Sequence, residues 1–356
     1  MSVFEKINKL NSANARIRSA LTDKGVDATG HGAEDFATDI ANMPPTFDPD
    51  DYAFVIYKEN DEYKRRYEYI GKTVTTLGSS HFNGKNNIVS VILPSTITIL
   101  GENCFNICTN LRSINFENIT ELSNYSLSEC SSLLELDCPN VVSIAIKAFN
   151  QGLTSIPFSL KKVVLPKIQT VPEDCFRNQN NKAFTELRYV DISSATVISG
   201  NAFKSCFNLT TVKFGDKVKT IGGGAFGYTA VSGELDFPEL ESIGGDAFIN
   251  TNITKVKNLG SITTLPAAFI SCSKLTFLRI PDTVTSLGSA IIQGTHDSDV
   301  TVICEPITPP TYGWGALGDA TIVYVPDASV DSYKAASGWS AIASKIHPLS
   351  EYTGSD

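Results

Sequence analysis

Residues 219–231 read KTIGGGAFGYTAV, and the run Gly222–Gly224 after a short apolar stretch is the first place where backbone N–H groups could converge on a phosphate. A phosphate loop also wants a Lys followed by Ser or Thr at the start of a helix, and here Ala-Phe-Gly-Tyr follows instead. The chain carries eight cysteines, enough for a disulfide framework or a zinc site, but Cys104 and Cys108 have no second pair and no nearby histidine. Its four histidines, His31, His81, His296 and His347, stand in no recognisable nucleophile motif. Asp48, Asp50 and Asp51 have the beginning of a calcium-loop pattern without its central glycine or closing glutamate, which makes a solvated linker the better reading. These residues therefore point to no catalytic group, no metal and no cofactor.

The glycine run makes sense once the chain is aligned on itself. Phe82, Phe105, Leu127, Phe149, Phe176, Phe203, Phe226, Phe248, Phe269 and Ile291 form a column with a spacing near 22 residues. Two longer intervals flank Phe176, where NQNNK (178–182) and QGLTSIPF (151–158) read as loop insertions. Such a period marks a leucine-rich repeat solenoid. Each unit joins an alternating stretch such as LRSINF, LKKVVLP or LTTVKF to a turn such as GENCF, GNAF, GGGAF or GGDAF. Alternation fits a short strand buried on one face, and the aromatic after the turn fills the interior of the coil. The expected role of the glycines is to supply positive φ angles in these turns.

The units resemble BspA-type leucine-rich repeats over about residues 74–325, most completely at TVISGNAFKSCFNLTTVKF (196–214). The resemblance implies a curved, right-handed solenoid of parallel strands used for recognition rather than catalysis. The fold expected is thus a mainly β repeat solenoid with a small N-terminal helical segment and a C-terminal cap.

Within the repeat, Cys108, Cys130, Cys206 and Cys272 each follow their unit's plug residue by three, and Cys104 and Cys175 precede it by one. Cysteines locked to a repeat read as small buried side chains, all reduced. The strands also present two outward columns. One runs Ile92, Asn115, Asp137, Val164, Asp191, Lys213, Asp236, Lys257, Arg279; the other runs Ser90, Ser113, Glu135, Lys162, Tyr189, Thr211, Glu234, Lys255, Phe277. Mostly polar columns mean that this side meets water. Tyr189 and Phe277, with Arg188, Asp191 and Arg279 beside them, are the candidate ligand-binding residues, because aromatics and arginine dominate interface energetics. Scattered surface aromatics are also ordinary, and that reading stays open.

The ends must differ from the repeats, since a solenoid exposes apolar edges there. Residues 52–74 read as strands of a first cap, and the domain unit expected for the solenoid with this cap is 52–325. In residues 326–356, the closing cap, a helix is expected from about Ala328 to Ser344, with Tyr333, Ala336, Trp339 and Ile342 on its docking face. Trp314, between Gly313 and Gly315, either presents an aromatic from a loop or packs in that cap. Residues 1–43 carry a helical stripe, Phe4, Ile7, Leu10, Ile17 and Leu21, which reads as an attachment or oligomerisation device; 44–51 is a linker. A second short helix is expected over Ala33–Met43, and two short helices bury little alone, so self-association or docking on another protein is expected. Residues 5–43 resemble a short helical segment of bacteriophage tail and baseplate-associated proteins.

A net charge of −9 argues against a nucleic-acid partner, and no apolar run is long enough to insert in a membrane. The charged N-terminus has no apolar core of a secretory signal. Together with the phage-like segment, this sets the expectation of a virion tail component, made in the host cytoplasm, that binds a bacterial surface protein or polysaccharide. The alternative is a bacterial cell-surface adhesin for a host or matrix protein.

Overall fold

The computed structural model describes residues 51–71, 73–149, 158–178, 184–295 and 299–354. Residues 1–43, with their expected helices and attachment role, lie outside the described residues, as do most of both insertions, His31 and His296.

Among the described residues the chain winds through eleven coils. Each coil has a two-residue strand, a turn carrying a plug side chain, and then a second strand that is longer in all but the second coil; the first runs Thr76–Leu77, Phe82, Ile88–Ile92. The short strands stack in parallel on one side and the long strands on another. Register is kept by residues one repeat apart, such as Lys162 opposite Glu135 and Tyr189. Because every coil hydrogen-bonds to the next, the side chains at equivalent positions stack, and the sequence period becomes a set of columns in space.

The plug column is the core. Phe176, Phe203, Phe226, Phe248 and Phe269 stack nearly parallel at centroid separations of 5.3–5.8 Å. Phe82 and Phe105 stack at 5.0 Å before Leu127 interrupts the series. Beside the insertions a second layer forms, with Phe158 stacked on Phe184 at 4.8 Å and Phe184 edge-on to Phe176. Most plugs sit between two left-handed residues, two before and two after: Asn103 and Ile107 around Phe105, Asn201 and Ser205 around Phe203. In the tenth coil the same rule puts Ala290 and Gly294 around Ile292. The bond from Phe269 N–H to the Ile291 carbonyl agrees, since Phe176, Phe203, Phe226 and Phe248 donate likewise to the residue before the next plug, and the Thr295 hydroxyl bonds back to the Ile292 carbonyl as Thr229 does to Phe226. Ile292 is therefore the plug, one residue later than the sequence column places it; both isoleucines are buried, which conceals the difference in the sequence.

The glycine expectation is also corrected. About half of the left-handed positions around the plugs hold Asn, Asp or Ser, and fewer hold glycine. Of the three glycines only Gly224 has a positive φ, +65°. Gly222 serves contact instead: a β-carbon there would fall on the backbone nitrogen of Gly200 in the preceding coil. Gly78 holds the same place in the first coil, where no coil precedes it, and a β-carbon there would meet nothing within 4 Å.

At the N-terminal end a hairpin, Tyr52–Glu59 with Glu62–Tyr69, pairs antiparallel to Ile88–Ile92 and covers the edge of the first coil. At the other end the single helix expected from Ala328 to Ser344 is broken. A helix at Val330–Ala335 ends where Ala336 turns extended, Gly338 takes φ +81°, and a 3-10 turn covers Trp339–Lys345. The break lets both Tyr333 and Trp339 reach the core. Tyr333 donates to the Pro306 carbonyl at 2.7 Å and Trp339 Nε1 to the Pro310 carbonyl at 2.9 Å. A straight helix could not aim both at these adjacent carbonyls. Trp314 stays out of this cap and is 77% exposed.

Candidate recognition surface

All eight cysteines are buried thiols. Those three residues after a plug donate to the plug carbonyl of the preceding coil: Cys108 to Phe82 at 3.0 Å, Cys130 to Phe105 at 3.2 Å, Cys206 to Phe176 at 3.1 Å and Cys272 to Phe248 at 3.1 Å. Threonine at this position bonds within its own coil, as Thr229 does to Phe226 at 2.8 Å. Burial raises these thiols, Cys108 to about 12 and Cys130 well above the ordinary range. Such groups are poor nucleophiles at neutral pH. Among the described residues, no cluster of three or more His, Cys, Asp or Glu could hold a metal ion. Half-buried His81 sits against Glu68 at 3.1 Å and His347 against Glu351 at 3.2 Å on the surface, each an ion-pair geometry. No helix among the described residues is long and apolar enough to cross a membrane.

What varies from coil to coil is the outward side of the long strands, although not all of it is open: the candidate Asp191 is buried, as are Ser90 and Ser113. Tyr189 and Asp191 come from Tyr189–Ile192, whose Val190 and Ile192 point into the core. Tyr189 lies between Lys162 and Thr211 in register, and Asp191 between Val164 and Lys213. Lys213 Nζ is 3.0 Å from Asp191 Oδ2, and the Ser193 N–H donates to Oδ1 at 3.1 Å. Burial alone would raise the Asp191 carboxyl, but the bonds from Ser193 and Lys213 outweigh it and hold it below its ordinary value. Arg188 is exposed beside this pair, with a long contact of 3.8 Å to Glu186.

Further along, Lys257 and Lys255 converge on Glu234 at 2.6 and 3.6 Å, and the Lys257 bond lowers the Glu234 carboxyl. Arg279 reaches Glu305 at 2.6 Å with its guanidinium 6.0 Å from the Phe277 ring. The five candidate residues therefore fall into two groups. Arg188, Tyr189 and Asp191 stand on the fifth coil and Phe277 and Arg279 on the ninth, four coils or roughly 19 Å apart at sheet spacing.

Exposure of Phe277, which its outward position led one to expect, does not occur: it is 5% exposed. Tyr352, returning from the C-terminus, lies over it with centroids 6.3 Å apart. No strand pattern announces that return, so the sequence carried no signal for it. Tyr324, on the last long strand, stands in register with Ile303 and His347.

The family model described as "BspA type Leucine rich repeat region" matches residues 66–183 and 196–308, in six copies. No curated protein matches the chain. Among solved structures, the chain is similar to a leucine-rich repeat protein from Bacteroides ovatus, at 17% identity and TM-score 0.44, covering 86% of this chain and 91% of that one. A leucine rich cell surface protein from Faecalibacterium prausnitzii aligns at 18% identity and TM-score 0.30, covering 88% and 96%. An internalin from Listeria monocytogenes aligns at 13% identity and TM-score 0.24, covering 76% and 88%.

Proposed function

The chain belongs to the BspA-type leucine-rich repeat family, and from that premise we propose that it is a non-catalytic recognition protein whose long-strand face binds a macromolecular partner. One observation carries the reading: the interior columns repeat one chemical solution, while the outward columns change residue at almost every coil. Residues that differ in register on a rigid surface can encode a partner, and a preformed surface loses little conformational entropy on binding. Tyr189, with Arg188 and the Asp191–Lys213 pair beside it, is the first anchor, and Arg279 with its ion pair the second.

The family match favours the alternative setting, adhesion at a bacterial cell surface to a host or matrix protein, over a phage tail. The tail reading keeps one observation, the resemblance of residues 5–43. Labelled full-length chain, titrated on immobilised matrix proteins and on intact bacterial cells, separates the two. Saturable binding to matrix protein, lost with Tyr189→Ser and Lys213→Glu together, is expected. Saturable binding to bacterial cells instead would favour the tail setting. Binding in either assay that is indifferent to the double variant would overturn the assignment of the face.

A further inference from the structure

The tail after Pro348 crosses the recognition face rather than extending the cap. Phe277 and Ile303 occupy outward strand positions, Phe277 beside the core residue Leu278 and Ile303 between Val302 and Cys304, yet both are buried. Neither belongs to the continuous core cluster, which holds their neighbours Leu278, Ile280, Val302 and Cys304. They form a separate apolar patch on the outer surface of the ninth and tenth coils. Tyr352 closes over it, 6.3 Å from the Phe277 ring and 5.3 Å from the Tyr324 ring.

The cover contrasts with the cap it follows. Tyr333 and Trp339 are fully buried, but no residue from 349 to 354 is, and Ser350, Glu351, Thr353 and Gly354 are exposed. The segment is tied to the body by the Ser350 N–H donating to Asp327 Oδ1 at 2.9 Å, by Glu351 against His347 at 3.2 Å, and by the Tyr352 ring, and these polar contacts are exposed. It therefore hides apolar surface while burying none of its own residues. A cover of that kind lifts at small cost, and what it uncovers is what an interface hot spot needs: an aromatic, an aliphatic and an arginine at its rim.

We propose that residues 349–354 form a displaceable strap, and that the patch beneath it takes an aromatic side chain of a peptide partner in place of Tyr352. The occupant seen is itself a peptide, a 3-10 turn at Leu349–Glu351 followed by extended backbone at Tyr352. The proposal rests on the long-strand face being the recognition surface and deepens that reading by naming a peptide rather than a glycan as the partner of the ninth and tenth coils.

The test uses the strap as its own probe. A chain ending at Pro348 is titrated with the synthetic hexapeptide Leu-Ser-Glu-Tyr-Thr-Gly, and the full-length chain serves as the occupied control. Binding to the shortened chain at least about tenfold tighter than to the full chain is expected, because a site held closed is available only for the fraction of time it is open. Phe277→Ser in the shortened chain should abolish it, and the hexapeptide with Ser for Tyr should not bind. If shortening disturbs the fold by circular dichroism, Tyr352→Ser in the full chain replaces it, with the same expectation. Equal binding to covered and uncovered chains, or binding that survives Phe277→Ser, would overturn the strap. This assay needs no natural partner, so its failure leaves the Tyr189 and Lys213 result standing, and failure of that result leaves this one standing.

Discussion

The inside of the solenoid and its long-strand face are built from the same strands, yet they obey opposite rules. Inside, Phe203, Phe226 and Phe248 do the same thing one coil apart, since each coil has the same void to fill against the same neighbours. Outside, successive coils offer Lys162, Tyr189, Thr211 and Glu234, and nothing in coil geometry demands any of them. Residues fixed by packing carry stability; residues released from packing can carry specificity. The strap region crosses that division, because Phe277 and Ile303 face outward but are treated as interior.

The sharpest way to break the comparison is to empty the interior. Phe226→Ala removes a ring stacked on both sides and edge-on to Phe214, and a loss of about 3–5 kcal/mol is expected from the denaturant midpoint. A repeat array need not unfold in one step, so the same experiment should show whether the coils on either side of Phe226 melt separately. Next in size is the paired glycine test. Gly222→Ala forces a β-carbon into the preceding coil's backbone and should cost about 1–3 kcal/mol. Gly78→Ala, at the same turn position with no coil before it, should stay within about 0.5 kcal/mol of wild type. Equal effects at the two sites would remove close coil contact as the reason for the glycine.

The cysteines give a chemical version of the contrast. Buried thiols whose ionisation is pushed up should resist iodoacetamide at pH 8 in the folded chain, while all eight react in denaturant. Rapid labelling of Cys206 or Cys272 in the native state would show that the coils open. The smallest effect is expected on the face itself. Lys213→Ala removes a partner from Asp191 that is itself largely exposed, so the change in stability should be below about 1 kcal/mol. Asp191 is held below its ordinary value in the fold, so its contribution is full above the ordinary aspartate range and fades as pH falls through the lowered value. Denaturant midpoints of wild type and Lys213→Ala should therefore converge in acid.

The same physics decides what could be read from the sequence. The plug column was legible because twenty-odd residues separate identical environments, and repetition amplifies a signal that one coil would hide. It slipped by one residue only at Ile291 and Ile292, where two equally apolar neighbours are both buried. The glycines were legible as turn residues but not in their role, since a positive φ and a close backbone approach both ask for a missing side chain. The broken cap helix went unread because Gly338 was taken for a residue inside a helix, although a left-handed glycine there is what separates Tyr333 from Trp339. Alternation located outward strand positions such as Tyr189 and Arg279, but not their exposure, since Asp191 and Phe277 are buried there. Whether they stay exposed depends on what crosses them, and a strap with no periodicity leaves no trace in the pattern.

The central claim is that recognition belongs to the outward long-strand columns and not to the turns. The most direct measurement compares two full-length variants for binding to the same partner preparation, each checked for an unchanged denaturant midpoint. One carries Tyr189→Ser with Lys213→Glu on the face, and the other Phe207→Ser with Tyr228→Ser, exposed residues of the turn edge. Binding lost in the first and kept in the second is the result expected. Binding kept in the first and lost in the second would contradict the account and move recognition to the turns.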